Sequence, residues 1–258
     1  MIRSFLDRFG RFARHSLPIK DAVSSLGDVR EESSWAQMMA FYAGFVGGGD
    51  LCLDVGANIG ARTDIFLALG ARVVCVEPQP RCVRVLTEKY GKNSRVVVVP
   101  KGVAAKPDIM PLSLCESAHT IATFSEKWKT GRFRDYRWES TLSVPVTTLD
   151  ALVQEFGVPA FCKIDVEGFE YQVLQGLSCV VPVLCFEFTR EFIDDAKLCI
   201  EHLASLGHVE FNYTLGETLD LRLDPWTDGE TVLSDLCCIR DDSLWGDIYA
   251  RSQSPRTR

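Results

Sequence analysis

Three groups of glycines and acids in this sequence are spaced for chemistry on a nucleoside. Leu53-Asp54-Val55-Gly56-Ala57-Asn58-Ile59-Gly60 ends an apolar run in two glycines four residues apart, and Val73-Val74-Cys75-Val76 ends a second run in Glu77. Glycine at a strand exit lets the backbone turn tightly and pass close to a ligand before a helix begins, here near Ala61. A carboxylate ending the next strand, about 20 residues on, can accept both hydroxyls of a ribose. The third group, Phe161 to Glu170, reads as a buried strand ending in Asp165, Glu167 and Gly168, then a helix through Leu174. Acids at the carboxyl end of a strand in an open α/β sheet face the ligand crevice.

The same residues narrow the ligand. A dinucleotide fold writes Gly-x-Gly-x-x-Gly so that a helix N-terminus can approach a pyrophosphate. Here the central position is Asn58, and Asp54 would repel a pyrophosphate but attract the ammonium of a methionine moiety. S-adenosylmethionine fits this set and NAD fits it poorly. Asp54, Gly56, Ala57, Asn58, Gly60 and Glu77 are therefore expected to hold the cofactor, with Asp165 facing it from the third group.

Methyl transfer is an in-line displacement at a sulfonium carbon, and a hydroxyl nucleophile needs a base. Asp165 is the first catalytic candidate, as base or as cofactor-binding acid; Glu187, ending the apolar run Val183-Leu184-Cys185-Phe186, and His119 are the others. Glu167 is divided between a turn or capping role and substrate contact. Lys163 is expected to point away from Asp165, orienting the motif or pairing with an acid. His202 and His208 fall in a predicted helix and strand and read as structural. Asp165, Glu187 and a third oxygen have the hard-donor chemistry for Mg²⁺, but two acids on neighbouring strands are a weak signature, so no metal is expected.

With these residues in view, the chain resembles the FkbM family of S-adenosylmethionine-dependent methyltransferases. The resemblance rests on Asp-Val-Gly-Ala-Asn-x-Gly at 54–60, Glu-Pro at 77–78, Lys-Ile-Asp-Val-Glu-Gly-x-Glu at 163–170, Val-Leu-x-Gly at 173–176 and the strand ending in Glu187, within roughly residues 50–190. It implies a Rossmann-like class I methyltransferase fold, catalysis near Asp165, and O-methylation of a hydroxyl on a sugar or natural-product small molecule, with S-adenosylhomocysteine released. It also implies that helices before the sheet form part of a lid over the cofactor. The rival readings are an NAD-dependent oxidoreductase and a non-catalytic cofactor-binding scaffold.

Those residues need a scaffold, and strand and helix alternate from Leu51 to Glu187 in the βαβ rhythm of a mostly parallel, doubly wound sheet. Pro80 opens a helix to Tyr90, and Arg95 to Val99 is a third strand. The rhythm breaks over about 106–146, an excursion of short strands and loops expected to contact the acceptor. Beyond Glu187 the pattern predicts a helix from Glu191 to Leu206, a strand from His208 to Tyr213 and another from Thr231 to Arg240, the last two forming an antiparallel edge. Ahead of the sheet, Ile2, Phe5, Leu6, Phe9 and Phe12 with four arginines form an amphipathic basic helix, and Ser33-Ser34 starts a second helix through Tyr42. The basic helix is expected to dock on its own domain or a second subunit rather than on a membrane surface. The resulting division is a helical extension over 1–46, a methyltransferase domain over 47–250 and a disordered tail over 251–258.

Composition sets outer limits. At 258 residues and 47% hydrophobic content the chain can bury one substantial core. No run approaches the ~20 apolar residues of a membrane span, and no secretory signal is evident, so a cytoplasmic protein is expected. The ten cysteines lack Cys-x-x-Cys spacing and read as free, packed thiols, with Cys237 and Cys238 on opposite faces of a strand. A net charge of −7 disfavours nucleic acid as the main partner and ribose methylation with it, leaving a small-molecule or glycan acceptor. The interleaved cations and aromatics from Lys127 to Trp138 could stack on bases or sugars, or pack sideways on their own domain.

Overall fold

The structure, a computed structural model, describes residues 25–115 and 117–253, with side chains from residue 34 onward. The basic helix expected in the first twenty residues, and the tail beyond residue 253, lie outside the described residues. Ser25–Tyr42 forms helix α1, eight residues earlier in its start than Ser33-Ser34 predicts. The serines are therefore interior to the helix rather than its cap.

Among the described residues ten strands follow: β1 (Leu51–Val55), β2 (Arg72–Val76), β3 (Val96–Val99), β4 (Gly102–Val103), β5 (Asp108–Leu114), β6 (Ser140–Thr147), β7 (Phe161–Ile164), β8 (Val183–Thr189), β9 (Val209–Leu215) and β10 (Trp245–Ser252). Between them run α2 (Ala61–Ala68), α3 (Pro80–Tyr90), α4 (Glu126–Thr130), α5 (Leu149–Phe156), α6 (Glu170–Leu174), α7 (Ile193–Leu206) and α8 (Gly229–Cys238). Seven strands make one sheet in the order β3-β2-β1-β7-β8-β10-β9, parallel except for β10, which is antiparallel to both β8 and β9. This is the α/β, Rossmann-like sheet with an antiparallel edge that the sequence predicts. The strand order reverses between β1 and β7, the switch point at which such sheets open a crevice.

Alternate strand residues feed two cores, as the period of two requires. Leu53, Val55, Val74, Val76, Ile164 and Phe186 face the layer that contains α5 to α8. Cys52, Val73, Cys75, Phe161, Cys185 and Tyr249 face α2, α3 and the C-terminal half of α1. Each fully buried aliphatic side chain contributes about 1.5–3 kcal/mol, so the paired layers fix the sheet on which the site stands.

Four expectations are corrected. Thr231 to Arg240 contains helix α8, not a strand: Asp228 caps it by accepting from the Thr231 amide at 2.8 Å, and Val232 and Leu236, four residues apart, bury one face. Its β-branched start mimics a strand, but the cap and the four-residue spacing win. Cys237 and Cys238 accordingly lie exposed at a helix end. The partner of β9 is β10, which runs through Arg251 and Ser252, residues assigned by sequence to the tail. Finally, Lys163 does not point away from Asp165. Residues two apart on a strand share a face, and the Lys163 ammonium lies 3.4 Å from the Asp165 carboxylate.

All ten cysteines are free, most of them buried, and burial pushes thiols such as Cys162 and Cys185 upward from their ordinary pKa. No described helix is long and apolar enough to cross a membrane.

Candidate functional site

A cleft opens at the switch point, walled by the exits of β1, β2 and β7 and closed on one side by the excursion. Gly56, Asn58, Glu77, Gln79, Asp165 and Glu167 line the sheet side, and Leu112, Thr120, Ala122 and Phe124 line the excursion side. The lining contains no residue of α1.

The β1 exit is built from three left-handed residues at alternate positions: Gly56 (φ 80°), Asn58 (φ 49°) and Gly60 (φ 87°). Asparagine is among the few side chains that adopt this conformation readily, which accounts for its standing where a dinucleotide motif has glycine. At Gly56 no other residue fits, because a Cβ would lie 1.8 Å from the Asp165 carbonyl oxygen. The glycine thus lets the exits of β1 and β7 meet. The Gly60 carbonyl accepts from the Tyr90 hydroxyl at 2.9 Å, which ties the same turn to α3.

Glu77 is buried with both carboxylate oxygens engaged. Oε2 accepts from the Asn58 amide and Oε1 from the Gln79 amide, each at 2.8 Å. Burial pushes its pKa up to about 7, with the two amides pulling the other way. The remaining accepting capacity of the carboxylate is available for donors from the cleft.

Asp54 and Ala57 do not line the cleft. The Asp54 carboxylate lies beneath it, accepting from the Thr63 hydroxyl at 2.6 Å, and burial raises its pKa. Thr63 is therefore a supporting residue that sequence reading missed. Lys163 is fully buried (0% exposed) and reaches the Asp247 carboxylate at 3.0 Å as well as Asp165. The two carboxylates hold its pKa well above the ordinary lysine value against the opposing effect of burial. Asp247 comes from β10, and no local pattern marks it.

Asp165, Glu167 and Glu187 converge: one carboxylate oxygen from each lies within 4.8 Å of the others. Glu187 also lines a smaller cavity beside the cleft with Trp128, Glu170 and Thr189. Burial, then the nearby Glu187, pushes Glu170 up to about 8. His119 stands apart from this cluster, in a short 3-10 turn over His119–Ile121. Its carbonyl accepts from the Gln79 side chain at 3.0 Å, while its ring Nδ1 is buried without a hydrogen-bond partner among the described residues. Burial, then Arg81, lowers its pKa.

These shifts set a pH dependence. A carboxyl group whose folded pKa exceeds its unfolded value binds protons more tightly in the native state, so the stability it provides at low pH is lost as pH rises through the folded pKa. Glu77 at about 7 and Glu170 at about 8 act together in this direction. His119, shifted down, acts oppositely, but only below its ordinary value of about 6.5. Urea unfolding of the unliganded protein should therefore show a fall of roughly 1–3 kcal/mol between about pH 6.5 and pH 8.5. A flat or rising profile would contradict these environments.

The aromatic rings of the excursion turn inward. Trp128 and Phe133 are buried with Phe192, Lys127 lies over the Phe192 ring at 4.4 Å, and Arg132 makes a two-pronged contact with Glu191 at 2.7 and 2.8 Å. The rings thus pack sideways on their own domain, while Arg134 and Arg137 stay exposed. Arg132→Ala should cost about 1 kcal/mol by thermal unfolding and make the excursion more susceptible to limited proteolysis; unchanged digestion would remove the clamp from the account.

The model of the FkbM methyltransferase domain matches residues 54–209. The ribosomal RNA small subunit methyltransferase of the Arabidopsis thaliana chloroplast is 28% identical over 102 residues, which cover 36% of this chain and 25% of that protein. The match thus spans about a quarter of that relative's length. Among solved structures, the O-methyltransferase of Bacillus cereus in complex with SAH is 12% identical at a TM-score of 0.44, covering 97% of this chain and 91% of that one. The precorrin-6y C5,15-methyltransferase of Geobacter metallireducens is 11% identical at 0.43, covering 93% and 96%. Since the family match takes in more than half of the residues, the chain belongs to the FkbM methyltransferase family.

Proposed function

We propose that this methyltransferase uses S-adenosylmethionine and transfers the methyl group to a hydroxyl of a small molecule or glycan. The observation that carries the cofactor reading is the pairing of the β1 exit with buried Glu77, whose carboxylate is fixed by the Asn58 and Gln79 amides at the switch point. The ionisable side chains lining the cleft are three acids, Glu77, Asp165 and Glu167, against one base, Lys101. That balance suits a sulfonium and an ammonium and opposes the diphosphate of a dinucleotide.

In this reading Glu77 accepts the ribose hydroxyls, while Gly56, Asn58 and Gly60 shape the turn that passes along the ligand. Ala57 and Asp54 support that turn from beneath. When bound, S-adenosylmethionine supplies an electrophilic methyl group on sulfur. Asp165, oriented by Lys163, faces the reacting end, and Asp165 or Glu187 takes the proton that the acceptor hydroxyl gives up. His119 is a weaker candidate for this step because its ring lies off the cleft. The converging carboxylates have the donor chemistry for Mg²⁺, but the reading requires no metal.

A second reading, methylation of ribosomal RNA, is favoured by the identity to the chloroplast enzyme. Against it stand the net charge of −7 and the inward packing of Trp128 and Phe133. The deciding experiment is calorimetric titration with S-adenosylmethionine and S-adenosylhomocysteine, with NAD as control, followed by methyl-transfer assays on polyhydroxylated small molecules and on ribosomal RNA. Saturable binding of both adenosyl ligands and none of NAD is expected; folded protein that binds neither would sink the reading.

A further inference from the structure

The turn after β7 contains two consecutive left-handed residues, Glu167 (φ 58°) and Gly168 (φ 84°). Glycine adopts this conformation freely, but for glutamate it costs about 1–2 kcal/mol, so the surroundings must over-determine it. They do so from two elements. Glu170, the first residue of α6, folds back so that Oε1 accepts from the Val166 amide at 3.1 Å and the Gly168 amide at 3.3 Å. From the excursion, the Thr123 hydroxyl donates to the Glu167 carbonyl at 2.7 Å and accepts from the Ser125 amide at 2.8 Å. Glu170 and Thr123 are both buried, and neither lines the cleft.

The Val166 and Gly168 amides and the Glu167 carbonyl are therefore each held by one of these two residues. The turn carries Asp165 and Glu167, the two acids that the cleft shares with the carboxylate cluster. Its position also sets the Gly56 contact, where the Asp165 carbonyl occupies the space a Cβ would need. A shift of the turn would move the acids and disturb the β1 exit together.

We propose that Glu170 and Thr123 are positioning residues that clamp the left-handed Glu167 turn and so hold Asp165 and Glu167 at the wall of the cleft, coupling the acceptor-side excursion to the cofactor side. The inference rests on the cofactor reading above, because it assigns the clamp to the affinity of that site. It requires hydrogen-bond acceptance by residue 170, not its charge. Glutamine retains the accepting oxygen and alanine does not.

The test compares the full-length protein with Glu170→Gln, Glu170→Ala and Thr123→Val, using two readouts. Hydrogen exchange of the Val166 and Gly168 amides should accelerate by at least about tenfold in Glu170→Ala and stay near wild type in Glu170→Gln. Affinity for S-adenosylmethionine should fall by at least about tenfold in Glu170→Ala and Thr123→Val but by less than about threefold in Glu170→Gln. Thr123→Val keeps the test decidable should Glu170→Ala fail to fold. The clamp is overturned if alanine leaves exchange and affinity unchanged, or if glutamine is as damaging as alanine. Failure of the wild type to bind S-adenosylmethionine would instead refute the cofactor reading, and amide exchange alone would then judge the clamp.

Discussion

Glu77→Ala is expected to lower affinity for S-adenosylmethionine by at least about 100-fold. A buried carboxylate that accepts two ribose hydroxyls contributes roughly 1.5–3 kcal/mol per charge-assisted hydrogen bond, and each 1.4 kcal/mol is a factor of ten. The substitution also takes the acceptor from the Asn58 and Gln79 amides, which loosens the β1 exit and the start of α3 together. Glu77→Gln should fall between wild type and alanine, since it retains one accepting oxygen. In the wild type the affinity should rise with pH through about 7, because hydroxyl donors favour the ionised carboxylate and burial places its pKa there. Calorimetric titration of the three proteins checks both statements. Equal affinity of Glu77→Ala and wild type would remove Glu77 from the site.

The largest expected loss of stability belongs to Lys163→Met, at about 3–5 kcal/mol in urea unfolding. Lys163 is fully buried and in contact with both Asp165 and Asp247, and methionine of similar length would take the ammonium away from both carboxylates. Removing one member of a buried ionic group costs far more than the group itself contributes, because the survivors are desolvated and uncompensated. Lys163→Met combined with Asp247→Asn should therefore be more stable than Lys163→Met alone. A loss below about 1 kcal/mol in the single variant would show that water or rearrangement compensates the acids, contrary to the closed environment seen here.

How much of this was legible in the sequence depends on how local each signal is. The β1 exit, Glu77 and the acids after β7 were readable because a turn, a strand end and a helix start write their requirements into adjacent residues. The mostly parallel, doubly wound character of the sheet follows from strand and helix alternation. Asp247 was not readable: it lies 84 residues from Lys163, and only the insertion of β10 beside β8 brings it there. The segment of α8 reads as a strand because a short apolar run starting with Thr231 and Val232 satisfies both periods, and tertiary burial of Val232 and Leu236 decides between them. Asp54 is expected from the motif to attract the ammonium of a methionine moiety, yet its carboxylate lies against Thr63 beneath the cleft. Which side of a turn a side chain reaches is a property of packing that spacing does not encode.

The place of β10 in the sheet has a consequence for synthesis. Chains emerge from the ribosome N-terminal end first, and β10 lies between β8 and β9 although it follows both in sequence. Until Trp245–Ser252 has emerged, β9 has no strand beside it and Lys163 has only one of its two counter-ions. A nascent chain that stalls after β9 would hold a nearly complete cleft next to an open sheet edge. That edge is the surface on which a chaperone, or a second stalled chain, would have its opportunity.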